Sequence, residues 1–418
     1  MARLRSHLTL GLCTIMHAFT HAYGVLLVPL YLMMKSDLHL GGVKAATLIV
    51  TLYGLVYNAG SYGAGLLADR FDRRMLLGIG LIGNAAAILG MGLTHDYLCL
   101  LGLAIFAGLS GTLFHPAANA LVPAHYPKNP GLAIGLLGMG SGLGFFSGPQ
   151  FAGWRAKTAA WNLWHISQWQ KPCIELGLAG LVFAILFILV AREAPGNPRT
   201  VRPPLPPRLR RKVVLLACVL GWRDFAGVAA ITLASLYLQR ACHRDEQAAG
   251  LIIGLMMLAG FGVNPLAVWL SPGRRRLPIL TLFLIAGGVM SMTVPHFSVG
   301  LALIPLAVFQ TLQMGSYALS DSAMLERVDP DLRGRVVGIF LSIAGTLGAL
   351  SPWWMGWWVD RLGARASLPS GYDGPYAVLG LMMMAAAFAP LILRRLGPVQ
   401  GAPSPLAEIT PETMETVL

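Results

Sequence analysis

The sequence predicts an all-α membrane protein of about twelve transmembrane helices, arranged as two parallel six-helix repeats. Three observations carry the expectation: an extreme apolarity, a regular alternation of apolar runs with short polar loops, and an internal likeness at an offset of 203–206 residues. Of 418 residues, 56% are hydrophobic and 12% charged, with a mean hydropathy of +0.64. An ordinary soluble domain carries about a quarter charged residues. A hydrocarbon core about 30 Å thick is crossed by roughly 20 helical residues, so a chain of this length with short loops holds twelve crossings.

The apolar runs predict spans over 7–34, 43–68, 75–93, 97–122, 131–152 and 174–192, then 213–239, 246–270, 276–294, 297–322, 334–358 and 374–393. The opening MARLRSHLTL has the basic and apolar parts of a signal peptide. Its apolar run continues through VLLVPLYLMM without a small-residue cleavage site, so an uncleaved first helix is expected. The expected units are a bundle over 1–192, a linker over 193–212, a second bundle over 213–393 and a tail over 394–418. The linker is basic and rich in proline, which disfavours helix and suits anionic lipid headgroups.

The formal charge of +13 does not mark a nucleic-acid protein, because the basic residues cluster between apolar runs and form no aromatic-interleaved face. Of 31 Lys and Arg, 21 fall at the N-terminus, in the even-numbered loops or after the last helix. Cytoplasmic loops carry this excess, so both termini are expected in the cytoplasm of a bacterial inner (plasma) membrane. The five cysteines, Cys13, Cys99, Cys173, Cys218 and Cys242, show no metal or cluster spacing. No cofactor is expected, and the expected state is a monomer whose partners are lipid, a small molecule and protons.

The repeats align in three places. HAFTHAYGVLLVPLYL lies over RDFAGVAAITLASLYL, setting His17 opposite Arg223 and Phe19 opposite Phe225. Gly131 and Gly135 match Gly334 and Gly338. Gly148-Pro149 and Gly153 match Ser351-Pro352 and Gly356. Parallel repeats of this kind place a binding site between two bundles near the membrane midplane.

Ionisable side chains at that depth are functional candidates because burying them is expensive. His17 and His21, four apart, share a helix face and can exchange protons; a structural pair is the alternative. With His115 they form a possible transition-metal set, but no acid or thiolate is near in sequence and no metal is assigned. Arg223 and Asp224 fall mid-span. Arg223 is expected to bind an anionic group and Asp224 to carry a proton, against the alternative of a static pair. Asp321 and Glu326 are expected in an interfacial ion-pair network, with little transport weight on Asp321. Tyr53, Tyr57, Asn58, Asn264, Gln310 and Gln313 either line a polar cavity or bridge helices. Trp154, Trp161, Trp164 and Trp169 are expected in an interfacial aromatic belt.

Two motifs narrow the class. GAGLLADRFDRRMLLG, with Gly65, Asp69, Arg70, Arg73 and Arg74, closely resembles motif A of the major facilitator superfamily. The resemblance implies a gate that joins the halves in the outward-facing state. The second copy, WLSPGRRRL, keeps Gly273 but lacks the acid. GFFSGPQFAG, with Gly144, Gly148, Pro149 and Gly153, resembles motif C of antiporters. HAFTHAY, GTLFHPAANALVPAHYP and GLAIGLLGMGSGLGFFSGP resemble the fosmidomycin-resistance group of drug exporters, which tends to have Asp where this chain has His21. These resemblances imply a secondary active transporter working by alternating access, a proton-coupled exporter. The alternatives are an uptake symporter for an organic anion or sugar and a transport-dead sensor. A membrane enzyme is not expected, since HExxH, GxSxG and GxxxxGK[ST] are missing from the sequence.

Overall fold

A computed structural model describes residues 2–158, 166–193, 204–298, 300–329 and 332–397. Residues 194–203, half of the expected linker, the tail after 397, and Trp161 and Trp164 lie outside the described residues. Twelve helical passes follow one another within those residues, and no strand occurs among them. Pass α1 is Ala2–Val25, a 3-10 turn Val28–Leu30 and Tyr31–Asp37. α2 joins Val43–Ala59 to Ser61–Arg70 across a 46° bend. α3 is Arg73–Leu93, and α4 joins Tyr97–Gly111 to Phe114–His125. α5 is Pro130–Lys157 and α6 is Gln170–Val190.

In the second half α7 is Pro207–Arg240, α8 Glu246–Leu270 and α9 Arg276–Thr293. α10 is Leu303–Leu325, and α11 joins Arg333–Ala349 to Ser351–Leu362. α12 is Asp373–Ala385 continued by Ala389–Arg394. Ten passes are long and apolar enough to cross a membrane and the bent α2 makes eleven. The twelfth, α10, falls short in hydropathy because Gln310, Gln313, Ser316, Ser320 and Asp321 lie along it. It still packs beside α8, parallel to it, and antiparallel to α9.

Large apolar side chains point outward, among them Leu98, Val182 and Leu189, each at least 69% exposed. Water would make such a surface an aggregation patch, whereas lipid tails solvate it. Within the first half α1 packs on α5, α2 on α4 and α3 on α6; within the second, α7 packs on α11, α8 on α10 and α9 on α12. The halves meet through α5 with α8 and α2 with α11. The repeat offset exchanges these two seams, since α2 and α8 begin at Val43 and Glu246, 203 residues apart.

One face of the bundle, here the terminal face, carries the start of α1. There the backbone N–H of Arg192, after α6, donates to Thr9 Oγ1 at 3.2 Å, and Lys212 at the start of α7 bonds the carbonyl of Arg395 after α12. The opposite, distal face carries the α1–α2, α5–α6 and α11–α12 connections. Trp169 sits at that face but does not form a lipid belt. It is 1% exposed and donates from Nε1 to Asp37 at 2.7 Å, because the indole N–H has a carboxylate to reach in the α1–α2 loop. Trp154, near the end of α5, faces outward at 48% exposure.

Candidate transport site and gates

At mid-depth in the second half, Arg223 on α7 is fully buried. Its Nε donates to Asp224 at 2.8 Å and its Nη1 to Ser320 Oγ at 2.8 Å and the Ser316 carbonyl at 3.2 Å. The guanidinium also lies over the Tyr317 ring, 3.6 Å from its centre, a cation–π contact. Asp321, one helical turn beyond Tyr317, interacts electrostatically with both Arg223 and Asp224, and its buried Oδ1 has no hydrogen-bond partner. The interfacial expectation for Asp321 is therefore corrected: α10 turns its carboxyl inward to the α7 charges. Glu326, one turn further, does join an interfacial network with Arg276 and Arg327. One guanidinium thus pairs with Asp224 and lies within electrostatic reach of Asp321.

The first half holds a different cluster at the equivalent depth. His17 Nδ1 lies 2.8 Å from the Leu137 carbonyl. A carbonyl only accepts, so this nitrogen carries the proton and Nε2 presents its lone pair. His21 Nε2 lies 3.0 Å from His17 Nε2. His115 on α4 closes the group, its ring 5.1 Å from His17 and 5.5 Å from His21 between centres. Phe114 stacks on His17, and the Phe145 ring lies tilted against His21, 4.4 Å between centres. The repeat offset of 206 that sets His17 on Arg223 also sets His115 on Asp321, so the two clusters are pseudo-equivalent. That second match is the signal in the sequence that identifies Asp321.

Of the polar residues expected to line a cavity, Gln310 and Gln313 are buried and bond each other at 3.3 Å. The Asn58 amide donates to the Gly54 carbonyl of its own helix at 2.8 Å, and its carbonyl end sits against Gly345 of α11. These residues bridge or pack helices. Tyr57 and Asn264 each have a buried oxygen without a hydrogen-bond partner.

Two contacts clamp the distal face, and sequence reading missed both. Asp360 at the end of α11 accepts from the backbone N–H groups of Val43 and Lys44 at 2.8 and 2.9 Å, capping α2 across the halves. An anion belongs at a helix N-terminus, where unpaired N–H groups and the dipole are positive. Gly42 leaves the room: a Cβ there would stand 2.9 Å from the Asp360 carboxyl carbon. In the other seam Lys157 at the end of α5 pairs with Asp245, which also caps α8 by accepting from the Ala248 N–H at 2.8 Å. Lys157 and Asp360 are 203 residues apart, so the repeats clamp one face with different chemistry at matching positions. The Lys157 ammonium and the α8 N-terminus hold the Asp245 carboxyl below the usual range. Further in, the turn in α1 frees backbone carbonyls that α7 satisfies: Ser235 Oγ donates to Val28 at 2.7 Å and Gln239 to Pro29 at 3.1 Å.

The motif C glycines let α5 pack closely on α1 and, at Gly153, on α8 across the seam. A Cβ on Gly144 would stand 3.0 Å from the Ala18 carbonyl carbon and one on Gly148 2.9 Å from Ala22 Cα, both on α1. Gly153 presses on the Glu246 carbonyl of α8, and the Pro149 carbonyl on Gly250. Toward the terminal face the glycines of the same seam helices, Gly63, Gly65, Gly135, Gly138, Gly262 and Gly338, have no atom within 4 Å of a Cβ position among the described residues. The halves are therefore in contact distally and parted at the terminal face. In motif A, Asp69 and Arg70 are exposed, and Asp69 makes no hydrogen bond or ion pair among the described residues. Arg74 stays within its own half, donating from its backbone N–H to Glu193 at 3.0 Å. Asp72 caps α3 by accepting from the Met75 N–H.

This architecture is that of a secondary transporter, and the sequence profile of the Major Facilitator Superfamily matches residues 10–352. The chain belongs to that superfamily. Relatives include the multidrug resistance protein MdtH of Shigella dysenteriae serotype 1, 29% identical over 127 residues, and that of Citrobacter koseri, 28% identical over 129. Each alignment covers 27% of this chain and 32% of the relative, so less than a third of those proteins is matched. Among solved structures, a bacterial homologue of the lysosomal transporter Spinster, inward-facing and unoccupied, superposes with a TM-score of 0.72 at 17% identity. The D-xylose–proton symporter superposes with a TM-score of 0.72 at 14% identity. Both cover 96% of this chain and 99% of the other.

Proposed function

We propose that the protein is a proton-coupled exporter of small molecules that works by alternating access, with Asp224 and Asp321 as the proton-carrying pair. One observation carries the reading: a fully buried guanidinium is paired with Asp224 and interacts electrostatically with a second carboxylate, Asp321, at mid-membrane depth. One positive charge neutralises one carboxylate; a proton on the other makes the cluster electrically balanced, and burial in lipid favours balance. Loss of that proton frees a carboxylate to compete for Arg223, so proton release and substrate contact are linked. Charge asymmetry supports a cytoplasmic terminal face, and on that reading the present arrangement is inward-open. Export over uptake is supported by the glycine-packed motif C and by the multidrug resistance relatives. The likeness to a sugar–proton symporter keeps uptake as the second reading.

Purified protein in liposomes, loaded with a pH reporter and screened against drugs and metabolites, tests this. A substrate-induced proton flux is expected, lost in both Asp321→Asn and Asp224→Asn. Flux unchanged in both variants would discard the pair as carrier. Proton and substrate moving in the same direction would replace export by uptake.

A further inference from the structure

We infer that His17, His21 and His115 form a binding site for a borderline transition-metal dication of the Zn2+, Co2+ or Ni2+ class. One ligand nitrogen from each ring can be chosen so that all three lie within 4.8 Å of one another. Tetrahedral bonds of about 2.0–2.1 Å to zinc set imidazole nitrogens roughly 3.4 Å apart, so small side-chain adjustments close the triangle. Two ligands come from one face of α1 at i and i+4 and the third from α4. The fold thus holds the set on two packed helices rather than on a loop.

The surroundings match what such a site needs. A metal-bound histidine donates its other ring N–H to a carbonyl or carboxylate, which fixes the tautomer. His17 already does so to Leu137 and points its free lone pair at His21. Three neutral imidazoles suit borderline metals and disfavour Mg2+ or Ca2+, which want oxygen. His17 is buried, whereas His21 and His115 are half-buried, leaving a side for entry and for a fourth ligand. Tyr57, whose ring meets His115 edge-on, has a buried hydroxyl with no partner. A water or hydroxide on the metal supplies the acceptor this group lacks. The repeat gives the same picture: where the second half carries the fixed cation Arg223, the first half carries a cage for a removable one.

The test is binding of Co2+ to the full chain in detergent, purified without a histidine tag and followed by titration calorimetry and visible absorption. One Co2+ per chain is expected, with the intense absorption of low-coordinate cobalt and displacement by Zn2+. His21→Gln and His115→Gln should each weaken binding by at least the roughly 10–100-fold that loss of an outer-shell partner costs. His39→Gln and His243→Gln, on the exposed distal loops, should leave it unchanged. Thermal melting of each variant confirms that the fold is kept. Absence of the absorption, or equal affinity in folded His21→Gln and His115→Gln, would overturn the site. Binding is read without transport, so failure here and failure of the exporter reading are separable.

Discussion

At the scale of the residue, Arg223 has the most consequential environment. Its guanidinium is fully buried against Asp224, Ser320 and the Tyr317 face. Removing one member of a buried ion pair costs about 3–5 kcal/mol, because the other charge is left uncompensated. Arg223→Gln should therefore lower the melting temperature measurably, and the added Asp224→Asn should restore part of the loss. A double variant no more stable than the single one would show that Asp224 does not depend on Arg223. Sequence reading found Arg223, Asp224, His17, His21 and His115 because charge and imidazole are rare inside apolar runs. It misplaced Asp321, whose nearness to the basic loop suggested an interface. Helix rotation, which turns Asp321 inward and leaves Glu326 at the rim, is not written in one-dimensional spacing. Trp169 misled for a similar reason, as an aromatic near a membrane boundary faces lipid or protein according to whether its N–H has a partner.

At the scale of the element, span positions were legible to within a few residues because hydropathy and helix length share one cause, the bilayer thickness. The bends in α1, α2, α4 and α11 were not legible, and neither were the cross-half contacts that satisfy backbone groups. Asp360 is the clearest case: an acid at a helix end is ordinary until the N-terminus it faces is known. Its charge at α2 is worth about 0.3–1 kcal/mol in an exposed setting and up to about 2 when partly buried. Asp360→Asn keeps an acceptor and removes the charge, so it should raise the distal-open population several-fold, read by spin-label distances across that face. An unchanged distribution would assign the clamp to packing alone. Glycine spacing makes a second contrast. Gly153→Leu meets the α8 backbone and should impair folding or distal closure, whereas Gly135→Leu meets open space. Comparable losses of monodisperse protein from both would contradict the seam assignment.

At the scale of the whole molecule, the two repeats supply matching positions and fill them with different chemistry. Lys157 with Asp245 answers Asp360 with the α2 N-terminus, and the histidine cluster answers Arg223 with Asp321. A proton crossing 100 mV contributes about 2.3 kcal/mol, close to a forty-fold gradient at about 1.4 kcal/mol per decade, so one proton per substrate would suffice for the proposed export. The Lys157–Asp245 contact of the distal clamp does not titrate near neutral pH. Because Lys157 holds the Asp245 carboxyl below the usual range, its contribution is complete above about pH 4 and is lost only as pH falls through the depressed value. Distal distances should hold from pH 7.5 to 5 in Asp224→Asn/Asp321→Asn protein; a distal face that opens over that range in this variant would place the sensor in the clamp.

The central claim, that the halves rock about a mid-membrane site so that one face closes as the other opens, is tested most directly by paired distances in one preparation. Spin labels at His39 and Ser370 report the distal face, and labels at Lys128 and Arg275 the terminal face, all exposed positions. The exposed Cys99 and Cys218 are replaced beforehand. Asp360→Ala combined with Lys157→Ala is predicted to lengthen the distal distance and shorten the terminal one in the same proportion of molecules. Lengthening at the distal face with no shortening at the terminal face would contradict alternating access and leave a protein that merely loosens.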